Sequence, residues 1–230
     1  MKLYGFPPTR SIRALWTLRE LDVDFEFVNV DPTKGELQRP EFLAVNPAGK
    51  LPVLVDGDFI LMESIAIVLY LAEKYPEKGL LPSGLRARAE VYRWLLFSAT
   101  ELQQPIWRIA RHTLLYPPEK RLAAEIPIAR QDFLDMAAVM EKHMGGRQFL
   151  VGDNVTVADI VAAYTLDMAT AQEKQMLLDD LPRLRGFMAR MYERRSAPPR
   201  IAEAFETPRS MTRMREARRR DSLTAAIDGA

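Results

Sequence analysis

The chain has no cysteine, only two histidines, and no apolar run near the about 18 residues that a membrane-spanning helix needs. Each absence closes a class of function. Without cysteine there is no disulfide, no protein thiol nucleophile and no thiolate metal site. His112 and His143 stand at no metal-ligand spacing, which argues against a metal enzyme. A formal charge of +1 over 230 residues gives no global pull toward nucleic acid or an anionic membrane. The start, Met1-Lys2-Leu3-Tyr4-Gly5, has no apolar signal segment, so the cytoplasm is the default compartment. What is present is ordinary for a globular chain, 48% hydrophobic and 27% charged, and long enough for one large domain or two small ones.

The two halves carry different periodicities. Lys2 to Phe6 alternates as a strand and Pro7-Pro8-Thr9 ends it. Arg10 to Leu21 then reads as a helix with Ile12, Leu15, Trp16 and Leu18 on its apolar side. Phe25 to Val30 is a second alternating strand, parallel to the first if the helix supplies the right-handed crossover. One helical turn is expected around Glu41-Phe42-Leu43. The turn-rich segment Tyr75 to Gly84 is the candidate boundary, and beyond it strand signals vanish. Ala87 to Leu115 is one long helical pattern with a kink expected at Pro105. Ile126 to Met144 and Arg183 to Arg195 are further helices. Between them Thr156 is placed as an N-cap with Asp159 three residues on, a capping-box arrangement ahead of an apolar core helix. The expected division is therefore an α/β domain over 1–78, a linker over 79–86, an all-helical domain over 87–206 and an extension over 207–230. That extension crowds six arginines into twelve positions (209–220), read as a solvated helical extension or disorder.

The stretch from Asn46 to Ser64 organises the first half. Val53-Leu54-Val55 and Phe59-Ile60-Leu61 read as the two arms of a hairpin around the turn signal Asp56-Gly57. Pro52 suits the first position of a strand. From Ile65 to Leu71 the chain is apolar enough for a largely buried helix, so Glu63 and Ser64 stand at a helix start. Unpaired N–H groups there favour an anion, and a neighbouring carboxylate can hold a cation.

The combined pattern Asn-Pro-x-Gly-Lys-Leu-Pro-x-Leu, a hairpin, then Glu-Ser before a helix resembles the glutathione-binding half of cytosolic glutathione transferases. The segment Phe149 to Asp153 followed by Thr156 and Asp159 is similar to the same family's pattern in its second half, so the motifs span residues 1 to about 205. The resemblance implies a thioredoxin-like domain followed by a helical bundle, glutathione as co-substrate, a homodimer and no metal. It implies that Leu51 pairs with the cysteinyl backbone of glutathione across a cis Pro52. Glu63 and Ser64 would hold the γ-glutamyl end and Lys50 would face the glycyl carboxylate. Position 37, where many relatives carry another ligand, is leucine here, beside Gln38.

Glutathione must react as a thiolate. Lowering a thiol pKa by two units takes about 2.7 kcal/mol. One hydrogen bond to the charged form supplies about 1.5–3 kcal/mol and a helix N-terminus about 0.3–2. A single hydroxyl at the start of helix 10–21 therefore suffices. Thr9 is placed there by resemblance to the serine-type families, Ser11 is the second hydroxyl, and Arg10 stands where other families carry cysteine; its charge can help hold a thiolate. A plain helix cap is the alternative role for Thr9. For a second substrate, Trp107, Arg108, Arg111, His112 and Tyr116, with positions 104, 108, 111, 112 and 115 on one helical face, are set beside Phe6 and Pro7 as a candidate pocket for an anionic or polarised electrophile. Conjugation of an electrophile, reduction of peroxides or disulfides by glutathione, and a non-catalytic glutathione-binding protein all remain open at this point.

Overall fold

A computed structural model describes residues 1–172 and 178–206. The arginine-rich segment 207–230 lies outside the described residues. Two compact units result. The first comprises Met1–Leu15, Asp24–Ile67 and the described residues from Pro199; the second comprises Trp16–Val23 and Val68–Pro198.

The first unit holds a four-stranded sheet in the order β2-β1-β3-β4. β1 (Lys2–Gly5) is followed by α1 (Ser11–Leu21) and β2 (Glu26–Asn29), and these strands pair in parallel. α2 (Pro40–Val45) leads to the hairpin of β3 (Val53–Asp56) and β4 (Phe59–Met62), with β3 antiparallel to β1. α3 (Ser64–Lys74) completes the βαβαββα order of a thioredoxin-like domain. Asp56 pairs with Phe59, so the two turn residues are Gly57 and Asp58, one position later than the Asp56-Gly57 signal suggests. Gly57 supplies the positive φ, 65°, that the turn requires. Side-chain alternation gives the sheet two faces. Val28, Tyr4 and Val53 lie on one, where Phe42 and Val45 of α2 join them in a common cluster with Val30. Leu3 and Leu54, both fully buried, lie on the other.

The second unit is helical: α4 (Leu85–Phe97), α5 (Gln103–Ala110), α6 (Glu125–His143), α7 (Val157–Gln172) and α8 (Pro182–Tyr192), with α9 (Ile201–Glu206) following in the first unit. α7 is buried on every side from Val157 to Thr170 and packs against α4, α5 and α8. A helix buried on every side belongs at the centre of a bundle, where its polar side chains need partners. Thr165 keeps its hydroxyl satisfied within the helix by donating to the Val161 carbonyl, 2.7 Å away. The long pattern from 87 to 115 is continuous but not regular. Pro105 has no N–H, and the irregularity appears as a π turn at Ser98–Leu102 just ahead of it, where Gln103 N–H reaches the Ser98 carbonyl. A second π turn covers Arg111–Leu115. α8 stops at Tyr192, three residues short of the expected end, and α9 was not anticipated.

Segments far apart in sequence are tied within this unit. Glu20, at the end of α1, accepts from Arg194 and Ser196, and Trp16 Nε1 donates to Ser196 Oγ at 3.2 Å. Burial pushes the Glu20 carboxyl up, but these donors outweigh it and hold the group below its usual range. Leu80 and Leu81, in the segment expected as a linker, are buried, and the Leu80 carbonyl accepts the Val157 N–H at 3.0 Å. Among the described residues no helix is long and apolar enough to cross a membrane.

Candidate active site

The loop after β1 brings two hydroxyls together. Ser11 is the first residue of α1 and is buried, whereas Thr9 is half-buried. Ser11 Oγ accepts from Phe6 N–H at 3.0 Å and faces the Phe6 carbonyl at 3.1 Å. It lies 2.7 Å from Thr9 Oγ1, and Thr9 Oγ1 also accepts the Ser11 N–H at 3.3 Å. The cap-like contact expected of a threonine at a helix start is thus present, with the hydroxyl pair in addition. Gly5 makes room for this arrangement: a Cβ there would meet Ser11 Cβ at 2.8 Å. Arg10 is half-buried beside the pair.

The start of α3 presents a second group of functions. Glu63 is exposed, sits at φ 69° and accepts the Ile67 N–H with its carbonyl, so it occupies the cap position. A non-glycine residue held at positive φ costs about 1–3 kcal/mol, a cost that concentrates at ligand-clamping positions. Ser64 is 5% exposed, and its Oγ accepts from Arg13 Nη1 at 3.2 Å. Arg13 itself is 1% exposed, a guanidinium carried inward on α1. A cation, a hydroxyl and the N–H groups of a helix start converge here, the donor set that a carboxylate requires.

The loop between them is braced by Asn46, buried at 2% exposure. Its Nδ2 donates to the Lys50 carbonyl at 2.7 Å, and its Oδ1 accepts the Ala48 N–H at 3.0 Å. Lys50 is exposed, Leu51 half-buried, and the Leu51–Pro52 bond is cis, as is Pro7–Pro8. Gly49, at φ 57°, lets Gln38 approach: a side chain at 49 would meet Gln38 Nε2 at 3.0 Å.

The residues proposed for a second substrate are arranged differently. Phe6 and Pro7 belong to the first unit, and the helical set belongs to the second. Arg108 does not serve as a free cation: Glu125 accepts from its Nε and Nη2 at 3.1 and 2.8 Å, and Asp132 from its Nη1. These carboxylates raise the Arg108 pKa, the hydrogen bond it donates to Glu125 first. The π turn over Arg111–Leu115 breaks the regular spacing that would align 104, 108, 111, 112 and 115 on one face. Arg111 instead lies over the Trp107 ring at 5.9 Å. His112 Nδ1 accepts the Leu122 N–H at 3.0 Å, and Tyr116 meets the His112 ring edge-on at 5.3 Å. The cleft in this region, of about 320 Å³, shares Arg108 and position 104 with the expected set and is lined also by Glu101, Asp132 and Asp135.

In the second unit Asp159 is fully buried. It accepts the Leu150 and Thr156 N–H groups, each at 2.8 Å, and the Thr156 hydroxyl at 2.9 Å. Half of the capping box forms as expected. The other half is corrected: the Thr156 hydroxyl donates to the Asp159 carboxylate, rather than accepting its N–H. Burial pushes the Asp159 carboxyl up to about 6 against the pull of these donors.

A thioredoxin-like domain with hydroxyls at the first helix, a cis-proline loop and a Glu-Ser helix start, joined to a helical domain, defines the glutathione transferase class. The comparisons place the chain there. The N-terminal domain model of glutathione S-transferases matches residues 1–73 and the C-terminal domain model matches residues 105–195. Glutathione S-transferase F10 of Arabidopsis thaliana is 39% identical over 157 residues, covering 65% of this chain and 72% of that protein. Human glutathione S-transferase theta-2B is 35% identical over 194 residues, 80% of this chain and 76% of that protein. The crystal structure of a glutathione transferase family member from Pseudomonas fluorescens, with two glutathione bound, superposes with a TM-score of 0.78 at 25% identity, covering 85% of this chain and 89% of that one. This chain belongs to the glutathione S-transferase family.

The arginine at 13 and the cap geometry of Glu63 are absent from the sequence reading. An arginine between Ile12 and Ala14 looks like any solvated helix residue. Its bond to Ser64, 51 positions away, ties it to the start of α3.

Proposed function

We propose that the chain is a glutathione transferase that conjugates the glutathione thiolate to small electrophiles, working as a cytoplasmic homodimer. Its catalytic domain is 1–78, joined through 79–86 to the helical domain 87–206. The reading is carried by one observation. A paired hydroxyl at the start of α1 and a guanidinium–hydroxyl pair at the start of α3, next in sequence to Glu63, occur within one compact unit. The γ-glutamyl carboxylate is taken by Ser64, Arg13 and the N–H groups of α3, and the ammonium group by Glu63. The cysteinyl backbone pairs with Leu51 ahead of Pro52. The glycyl carboxylate is met by Lys50, with Gln38 beside Gly49 as a second donor. The sulfur then lies at Thr9, whose hydroxyl donates to it at the positive end of α1, with Arg10 adding charge. The thiol proton passes to solvent, and the thiolate attacks the electrophile. The cytosol supplies glutathione as the free thiol this chemistry needs.

The test separates binding from activation. Ser64→Ala is expected to weaken glutathione about tenfold or more through loss of a charge-assisted bond. Thr9→Ala is expected to leave affinity nearly intact but raise the pKa of the bound thiol by about one to two units. Calorimetry and ultraviolet titration of the thiolate read the two effects. Tight glutathione binding without turnover of an aryl halide, a hydroperoxide or a disulfide would instead mark a non-catalytic binding protein. Turnover of the hydroperoxide or disulfide alone would reassign the reaction to reduction.

A further inference from the structure

We propose that Ser11 is a positioning residue that aims the Thr9 proton, so that the two hydroxyls act as a relay rather than as alternatives. The inference rests on the reading of Thr9 as the thiolate's donor.

The argument is a count of protons and lone pairs. Phe6 N–H can only donate to Ser11 Oγ, and the Phe6 carbonyl can only accept from it. Ser11 N–H can only donate to Thr9 Oγ1. The 2.7 Å contact between the two hydroxyls is therefore the one bond whose direction is free. In one arrangement Ser11 donates to the Phe6 carbonyl and Thr9 donates inward to Ser11. In the other, Ser11 donates to Thr9, and the Thr9 proton is released outward. The second arrangement gives up only the 3.1 Å contact to the Phe6 carbonyl. That carbonyl still accepts the Thr9 N–H at 2.8 Å, so no buried acceptor is left unpaired.

An anion in front of Thr9 selects the outward arrangement. Both lone pairs of Thr9 Oγ1 are then filled, by Ser11 N–H and Ser11 Oγ–H, and its single proton has no internal partner to compete for it. A hydroxyl that accepts while it donates is a stronger donor, by about 10–30% per bond. Ser11 cannot replace Thr9 in this scheme. It is buried, and both backbone atoms of Phe6 hold its oxygen against Gly5, where a Cβ would come within 3.0 Å of it.

The experiment is a double-mutant cycle on the full chain, read as the pKa of bound glutathione by thiolate absorbance and by pH–rate profile. Ser11→Ala is expected to raise that pKa by about half a unit, as Thr9 loses its polarising donor. Thr9→Ala is expected to raise it further, and the double variant to match Thr9→Ala alone, because Ser11 acts only through Thr9. A merely structural role for Ser11 would add its effect in the Thr9→Ala background, and that additivity overturns the relay while leaving the transferase reading in place. No shift in Ser11→Ala overturns it as well. No shift in Thr9→Ala removes the donor itself and the relay with it. Should Ser11→Ala fail to fold, Ser11→Cys keeps the side-chain shape with a weaker donor and is expected to give a smaller shift that is again non-additive with Thr9→Ala; an additive shift overturns the relay.

Discussion

At the scale of single residues, the buried charges separate into two kinds. Arg13 donates across 51 positions to the Ser64 hydroxyl, whereas Asp159 accepts from two backbone N–H groups and one hydroxyl close to it in sequence. Burial still outweighs those donors and lifts the Asp159 carboxyl to about 6 from an ordinary 3.8. The native state therefore holds a proton between these values that the unfolded chain has released. Stability from this group is present below about pH 4 and falls as the pH rises through 6, by about 3 kcal/mol in all, and is flat above. Asp159→Asn removes the titration. Denaturant unfolding of both proteins between pH 4 and 7 is expected to show the wild type losing that increment relative to the variant. Parallel curves would show that the carboxyl titrates as an ordinary one.

At the scale of elements, α8 shows how a helix start is secured without a cap of its own. Leu181 makes no side-chain cap bond and Pro182 brings no N–H. The next two donors, Arg183 and Leu184 N–H, go to the two carboxylate oxygens of Glu141 on α6 at 3.0 and 2.9 Å. Glu141→Ala is expected to cost about 1–2 kcal/mol, like loss of an N-cap, and to speed amide exchange at Arg183 and Leu184 about tenfold. Unchanged exchange at those two amides would show that α8 is held by packing alone. The same scale explains what could be read in advance. Strands, the hairpin, α1, α3, α6 and the core helix α7 follow from local period and turn residues, and so did the Leu51–Pro52 and Glu63-Ser64 positions. Glu141's role, the Glu20–Arg194 pair and the Arg13–Ser64 bond join residues 42, 174 and 51 positions apart, and no local pattern encodes them. The π turns were hidden for another reason: Pro105 announces a fault in the helix, but not which backbone bond will absorb it.

At the scale of the whole molecule, both units leave apolar surface in solvent. β4 is an edge strand, and Phe59, Ile60 and Met62 along it are 46%, 42% and 37% exposed. On α4, Leu85 and Leu96 are 85% and 59% exposed. An edge strand of this kind is usually covered or charged, because its unpaired backbone and apolar side chains invite association. Closed two-fold dimers are the commonest way for a chain to cover such a face with a copy of itself. Sedimentation at micromolar concentration is expected to give a species of twice 26.3 kDa. Leu96→Glu, which places a charge on the α4 face without entering the hydroxyl or Glu-Ser sites, is expected to shift it to the single-chain mass. A wild-type chain that sediments at 26.3 kDa sinks the homodimer. A variant that stays dimeric moves the interface off α4 and leaves the β4 edge to be tested in turn by Ile60→Lys, whose charge would lie on the same strand face as Met62.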